Sequence, residues 1–352
     1  MILNEARIEQ TIDRDERGKF HKSLVVVKIP DRGGSVPLAM VRKRSDAGAG
    51  GTRAPVLLIH GYGQNRYAWH LPARSFSNYL ARAGFDVFNL DLRGHGRSRH
   101  LGARLPAHVT EFVREDVPAA VEEIQRLSGH RPVFIVGHSL GGLIAYAASP
   151  RLNGSLAGLT TLGSPYQFTR GSPTLMILGW LMLHLDRRMP LGHGALELKG
   201  LGEAMRSLRG FIESPIFPLP IRGFVPRSIE PQILAQHMSL AMDRGSITVL
   251  RNMFLRAAEW RESGERLGGL ADAEAFENLD IPLLVIAGTK DDLAPPSSVE
   301  PAFLRSRSSD KTYRSFPRGH IDLIMGMDAP QTVWPLIESW IGTRLRRSAK
   351  AA

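Results

Sequence analysis

Three side chains in this 352-residue chain sit in surroundings that could support nucleophilic chemistry: Ser139, Asp291 and His320. Ser139 is the centre of Gly137-His138-Ser139-Leu140-Gly141, directly after the apolar run Val133–Val136. Such a run reads as a buried strand, and the small residues after it read as a tight turn into a helix. A serine at that apex is pushed out of the sheet with its hydroxyl exposed. Gly137 and Gly141 leave room where a Cβ would meet the neighbouring chain. A serine hydroxyl is a weak nucleophile at neutral pH. It needs a base, a third group to orient the base, and backbone donors aimed at the oxyanion that develops.

In open parallel sheets those partners gather beyond the carboxyl ends of the strands, and each such strand end here carries a suitable group. After Val56–Ile59 comes His60-Gly61-Tyr62-Gly63-Gln64-Asn65; the amide of Tyr62 is the expected oxyanion donor, paired with the amide of Leu140, and His60 is assigned to packing under the loop. After Val87–Leu90 comes Asp91-Leu92-Arg93-Gly94-His95-Gly96-Arg97-Ser98, read as a structural turn with a buried charge pair between Asp91 and Arg93. After Leu283–Ala287 comes Gly288-Thr289-Lys290-Asp291-Asp292; Asp291 is the expected orienting carboxylate, with Asp292 as its competitor. After Thr312–Phe316 comes Pro317-Arg318-Gly319-His320, which places a base on a loop able to reach Ser139.

The elements that must hold these groups alternate strand and helix from Pro55 onward. Helices are expected over Leu71–Ala83, Val117–Leu127, Leu140–Ala148 and Asp328–Leu345, and a further strand over Leu159–Leu162. Ser23–Ile29 and Val36–Arg42 read as two strands joined by the turn at 30–34, and 45–53 reads as a Gly/Ala-rich loop. This order predicts an α/β fold with a mostly parallel central sheet flanked by helices. The interval 165–275, dense in Leu, Met and Gly and interrupted by Pro190, Pro215, Pro218 and Pro220, breaks the alternation. It is read as an inserted, mainly helical cap between core segments 1–164 and 276–352. Helices are expected within it over Leu175–Leu185 and Leu240–Ala258. Thr174–Leu183 is apolar nearly all round, which predicts a helix buried between cap and core; the competing reading is a lid lining an acyl tunnel, where Met side chains adapt to varied chains.

Composition narrows the function classes. A hydrophobic fraction of 43% and a charged fraction of 22% suit a globular domain. There is no cysteine, which excludes disulfides, thiolate metal sites and a cysteine nucleophile. The net charge of +11 invites anionic partners, but the arginines are scattered and lack interleaved aromatics, so nucleic acid is not expected. The tail Arg344-Leu345-Arg346-Arg347 reads as a solvated helix end, which leaves weak peripheral membrane contact open. Met1–Phe20 has no apolar core of a secretory signal, and the longest apolar stretch is too short to cross a bilayer, so a cytoplasmic location is expected. No phosphate-cradling loop or metal-binding His pair is evident, and no cofactor or metal is expected.

Together His60-Gly61-Tyr62-Gly63, Asp91 through Ser98, Gly137-His138-Ser139-Leu140-Gly141-Gly142, Gly288 through Pro295 and Gly319-His320 resemble the α/β-hydrolase superfamily, from about Pro55 to the C-terminus. The Gly-His-Ser-Leu-Gly-Gly box is similar to those of lipases and esterases. The stretch from His60 to Arg99 resembles hydrolases related to polyhydroxyalkanoate synthases and acid lipases. The serine at the elbow, where such synthases carry cysteine and dehalogenases and epoxide hydrolases carry aspartate, points away from those branches. The resemblance implies a serine hydrolase that cleaves a small-molecule carboxylic ester or thioester, with an apolar acyl group, through a Ser139–His320–Asp291 triad. An acyltransferase using the same acyl-enzyme and a non-catalytic binding protein on this scaffold are the alternatives.

Overall fold

The structure, a computed structural model, describes residues 1–31, 34–46, 54–129, 131–152, 154–189, 192, 194–214, 222–262, 270 and 272–351. Most of the loop expected over 45–53 and part of the turn at 30–34 lie outside the described residues, as do Pro190, Pro215, Pro218 and Pro220.

The strands are β1 (Ile2–Asp13), β2 (Glu16–Asp31), β3 (Gly34–Ser45), β4 (Pro55–Ile59), β5 (Asp86–Asp91), β6 (Val133–His138), β7 (Leu156–Leu162), β8 (Ala195–Glu197), β9 (Arg244–Ser246), β10 (Leu283–Gly288) and β11 (Lys311–Phe316). Nine of them form one sheet in the order β1-β2-β3-β5-β4-β6-β7-β10-β11. From β5 to β11 every pairing is parallel, while β1, β2 and β3 join as an antiparallel edge. The central strands β4, β6 and β10 are buried along their whole length. That is why they read as unbroken apolar runs: helices cover both faces. On one face pack α2 (Val117–Ser128) and α3 (Leu140–Ala148); on the other pack α1 (Phe76–Arg82) and the C-terminal α6 (Val333–Ala351), which brings Trp334 and Trp340.

Several expected boundaries move for local reasons. β1 escapes pattern reading because it is exposed along most of its length and Asn4 and Gln10 interrupt the face that carries Ile2, Ile8 and Ile12. The helix expected from Leu71 begins at Phe76, where the Ser75 hydroxyl accepts the Asn78 amide as an N-cap. The C-terminal helix begins at Val333, after a 3-10 turn at Ala329–Gln331. Arg344 is not a solvated tail residue: it lies 3.8 Å from the Trp340 ring centroid and pairs with Asp310.

Between β7 and β10 the chain leaves the sheet and builds over its carboxyl edge. This insert holds α4 (Pro173–Arg188), a helix over Leu198–Ser207, the β8–β9 pair and α5 (Ile247–Glu262). The helix expected from Leu240 starts instead at Ile247, after a π-turn at His237–Ala241 and β9. The expectation that Thr174–Leu183 is buried all round is overturned. Leu175, Gly179 and Leu183 face inward at i, i+4 and i+8, whereas Ile177 is 67% and Trp180 60% exposed. Only one stripe of α4 finds a partner, chiefly α5, where Gly179 lets Phe254 approach. No helix among the described residues is long and apolar enough to cross a membrane.

Candidate active site

The turn between β6 and α3 carries Ser139 at φ 52°, ψ −122°, a positive φ rare for a residue with a side chain. Holding it costs about 1–3 kcal/mol, which the surrounding packing must supply. The packing is tight on every side. A Cβ on Gly137 would fall 2.6 Å from the Gly142 nitrogen, and one on Gly141 would fall 2.6 Å from the His60 carbonyl oxygen. Nothing larger than glycine fits at either point, so the box spacing follows from the geometry of the turn.

Asp291 and His320 come together beyond β10 and β11. His320 Nδ1 lies 2.7 Å from Asp291 Oδ2, and both side chains are buried. Asp291 Oδ1 accepts the amides of Leu293 (2.9 Å) and Ala294 (2.7 Å), which fixes the carboxylate. Burial opposes the imidazolium form of His320, but the charge and hydrogen bond of Asp291 outweigh it and the pKa moves up from the ordinary value. The competing carboxylate, Asp292, turns the other way and accepts the amides of Arg222 (2.6 Å) and Gly223 (3.1 Å) from the insert. His320 and Ser139 line the same cavity. His138, next to the serine, packs against His320 with ring centroids 4.5 Å apart and planes tilted by 48°, and its Nε2 lies 3.2 Å from the His320 carbonyl. Burial, then the neighbouring His320, holds its pKa far below the imidazole range, so it is neutral.

Of the expected oxyanion donors, Leu140 is the first residue of α3, where an amide has no carbonyl partner within its own helix. Tyr62 lies on the loop from β4, and the adjoining Gly61 passes so close to Ser139 that a Cβ there would stand 3.1 Å from the serine Cβ. This loop is fastened to the insert. The Tyr62 hydroxyl donates to the Ser246 carbonyl (3.0 Å), the Asn65 amide to Ala241 O (3.0 Å), and the Asp243 amide to Gly63 O (2.8 Å). The Asp243 carboxylate accepts Gly96 N (2.8 Å) and Asn65 Nδ2 (3.2 Å). Beneath it His60 is buried and neutral, pushed down to about 4 by burial, with Nε2 accepting the Leu92 amide at 3.2 Å.

The expected Asp91–Arg93 pair does not form. Asp91 accepts Arg66 Nη1 (2.6 Å) and the Arg97 amide (2.8 Å), while Arg93 reaches outward to Asp116 (2.7 Å), Glu115 (2.6 Å) and Glu111. Side chains two apart on a turn point to different sides, and each finds its own partner.

A cavity of about 270 Å³ opens above Ser139. Its wall is mainly apolar and includes Phe168, Leu175, Met205, Met238, Met253 and Phe254, all from the insert. Sequence reasoning missed the insert's anchoring residues Asp243 and Asp322. Asp322 Oδ2 accepts the Val225 amide (3.1 Å) and its Oδ1 the Ser228 hydroxyl. Burial raises its carboxyl to about 7. No motif marks Asp243 itself; only its partners Asn65 and Gly96 lie in segments recognisable beforehand. Among the described residues no group of His, Asp or Glu is arranged to hold a metal ion.

A family model described as the alpha/beta hydrolase fold matches residues 54–193. The monoacylglycerol lipase of Mycolicibacterium smegmatis is 24% identical over 294 residues, 83% of this chain and 89% of the relative. The (E)-2-((N-methylformamido)methylene)succinate hydrolase of Acinetobacter baylyi is 24% identical over 293 residues, 83% of this chain and 92% of the relative. Among solved structures, a thermostable carboxyl esterase from Bacillus coagulans superposes with a TM-score of 0.61 at 19% identity, covering 92% of this chain and 99% of the esterase. The chain has the alpha/beta hydrolase fold, and it is similar to hydrolases and lipases that share it.

Proposed function

We propose that the protein hydrolyses carboxylic esters through an acyl-enzyme on Ser139. The observation that carries this reading is the strained serine sharing one apolar cavity with an imidazole bonded to a buried carboxylate. Asp291 accepts a hydrogen bond from the Nδ1–H of His320, which leaves Nε2 as the free base. His320 accepts the Ser139 proton as Oγ attacks the ester carbonyl carbon. The amides of Tyr62 and Leu140 receive the negative charge on the former carbonyl oxygen. His320 then protonates the departing alkoxide, and a water activated by the same imidazole releases the acid. The carboxylate keeps its charge throughout and stabilises the imidazolium.

The insert acts as a cap that selects the acyl group. Its wall of thioethers and aromatic rings favours an alkyl chain, and the Met side chains accommodate variation in length. Each buried methylene is worth about 0.8 kcal/mol, so kcat/KM is expected to rise about fourfold per added carbon until the cavity is full. A series of p-nitrophenyl esters from acetate to decanoate tests this. A maximum at medium or longer chains supports the assignment; fastest turnover of acetate contradicts it. The relative named as a monoacylglycerol lipase is consistent with an ester substrate.

A further inference from the structure

A second cavity, of about 300 Å³, lies under the turn that begins at Arg66, on one face of the antiparallel edge of the sheet. Its walls include Glu9, Gln10, Lys22, Lys43, Arg66 and His70. The register of β2 against β3 sets Lys22 directly opposite Lys43. Like charges in that relation repel. Lys43 is buried, and its ammonium donates to Gln10 Oε1 (2.7 Å) and Asn78 Oδ1 (2.7 Å) and contacts the His70 ring, all uncharged acceptors. Among the described residues neither lysine has a carboxylate within 4.0 Å. Arg66 has one, Asp91, already shared with two backbone amides. Glu9, at the rim and half exposed, stands 3.8 Å from Arg17.

A buried cation without a counter-charge is among the most costly features a fold can hold. Burial, followed by the charges of Lys22 and Arg66, disfavours the charged form of Lys43, and burial with Arg66 and Arg97 does the same for Lys22; an anion in the cavity would favour the charged form of both. A cluster of positive charge around a polar cavity of this size is balanced by a small anion. We propose that this cavity is a binding site for a small oxyanion, a molecule bearing a phosphate or carboxylate group, with Lys22 and Arg66 as direct donors and Lys43 as the buried charge behind them. Lys43 has spent its donors on Gln10, Asn78 and His70, so it contributes field rather than contact. The site is separate from the Ser139 cavity and its occupancy requires no chemistry there.

Calorimetric titration of the whole protein with inorganic phosphate and, in a second arm, acetate tests the proposal, with chloride at matched ionic strength as the control. The expected result is one-to-one, saturable binding of phosphate or acetate that weakens at least tenfold in Lys22→Gln. Lys22 is partly exposed, so that variant preserves the fold. Lys43→Met removes the buried charge; it is expected to abolish the same binding and to raise Tm in anion-free buffer. The stronger of the two arms identifies the oxyanion class. Equal heats with chloride, no saturable binding by either oxyanion, or undiminished affinity in Lys22→Gln would overturn the proposal. Because the readout is binding, its failure leaves the esterase assignment untouched, and loss of esterase activity in Ser139→Ala leaves this site untouched.

Discussion

The two sides of the insert are built on opposite principles. Its inner segment, 222–246, is tied to the core by carboxylates: Asp292 and Asp322 of the core hold Arg222, Gly223, Val225 and Ser228, and Glu230 and Asp243 of the insert hold Arg74, Asn65 and Gly96. Its outer helix α4 packs through one apolar stripe, with the Asp186–Arg251 pair (3.2 Å) tying it to α5 rather than to the core, and leaves Ile177, Trp180 and Leu181 in solvent. Charge-assisted hydrogen bonds are directional and fix a position; apolar contacts allow sliding and repacking. The inner segment is therefore fixed to the loops carrying Tyr62 and His320, the residues proposed to act on the ester. The outer helix borders the cavity above Ser139, to which it contributes Leu175 and Leu178.

Substitutions ordered from the chemistry outward sharpen this contrast. Ser139→Ala is expected to lower kcat by about a million-fold on a soluble ester, with folding unchanged by circular dichroism. Asp291→Asn is expected to cost about ten-thousand-fold by leaving His320 in the wrong tautomer, while the same change at the adjacent Asp292 costs about tenfold or less. Equal losses at the two positions would mean that the orienting carboxylate has been misassigned. Asp243→Asn, in the inner segment, shifts the loop bearing the Tyr62 amide and is expected to lower kcat by up to about a hundredfold with KM nearly constant. Arg74→Ala strands Glu230 and Asp13 and is expected to reduce unfolding free energy by about 3–5 kcal/mol in a denaturant titration. Trp180→Ser, on the outer helix, is expected to change stability by no more than about 0.5 kcal/mol and to leave turnover of a short soluble ester unaltered. A large loss of turnover in that variant would erase the distinction between the two sides.

The same geometry sets a pH dependence. His320 works as a base only when neutral, and Asp291 raises its pKa. The acid limb of kcat/KM is therefore expected to have its midpoint above the ordinary imidazole value of about 6.5. Stability has the opposite sign. The raised pKa means the folded state holds the proton more tightly, so this contribution is complete below about 6.5 and fades as pH rises through the higher folded value.

What could be read from the chain divides along the same line. The parallel strands from Val56 to Ala287 were legible because burial on both faces leaves uninterrupted apolar runs, and the elbow because only glycine fits beside Ser139. The placement of Asp291 and His320 beyond β10 and β11 was legible as strand-end positions. β1 was not, because on this largely exposed edge strand the alternation of Ile2, Ala6, Ile8 and Ile12 is interrupted by Asn4 and Gln10. The Asp91–Arg93 expectation failed because proximity in sequence does not decide which way a turn aims its side chains. The insert was illegible in detail: the helical turn at His237–Ala241 stops just before Asp243, which is bonded to Gly96 and Asn65, an instruction held in long-range hydrogen bonds. The opposition of Lys22 and Lys43 likewise exists only once the register of β2 and β3 is known.

The most direct test of the central claim is the site and pH dependence of covalent modification by a fluorophosphonate. Intact mass and peptide mapping are expected to show one adduct per chain, on Ser139. Its rate should climb as His320 loses its proton and collapse in His320→Ala. An adduct on another serine, or none at all from folded protein, would contradict the account.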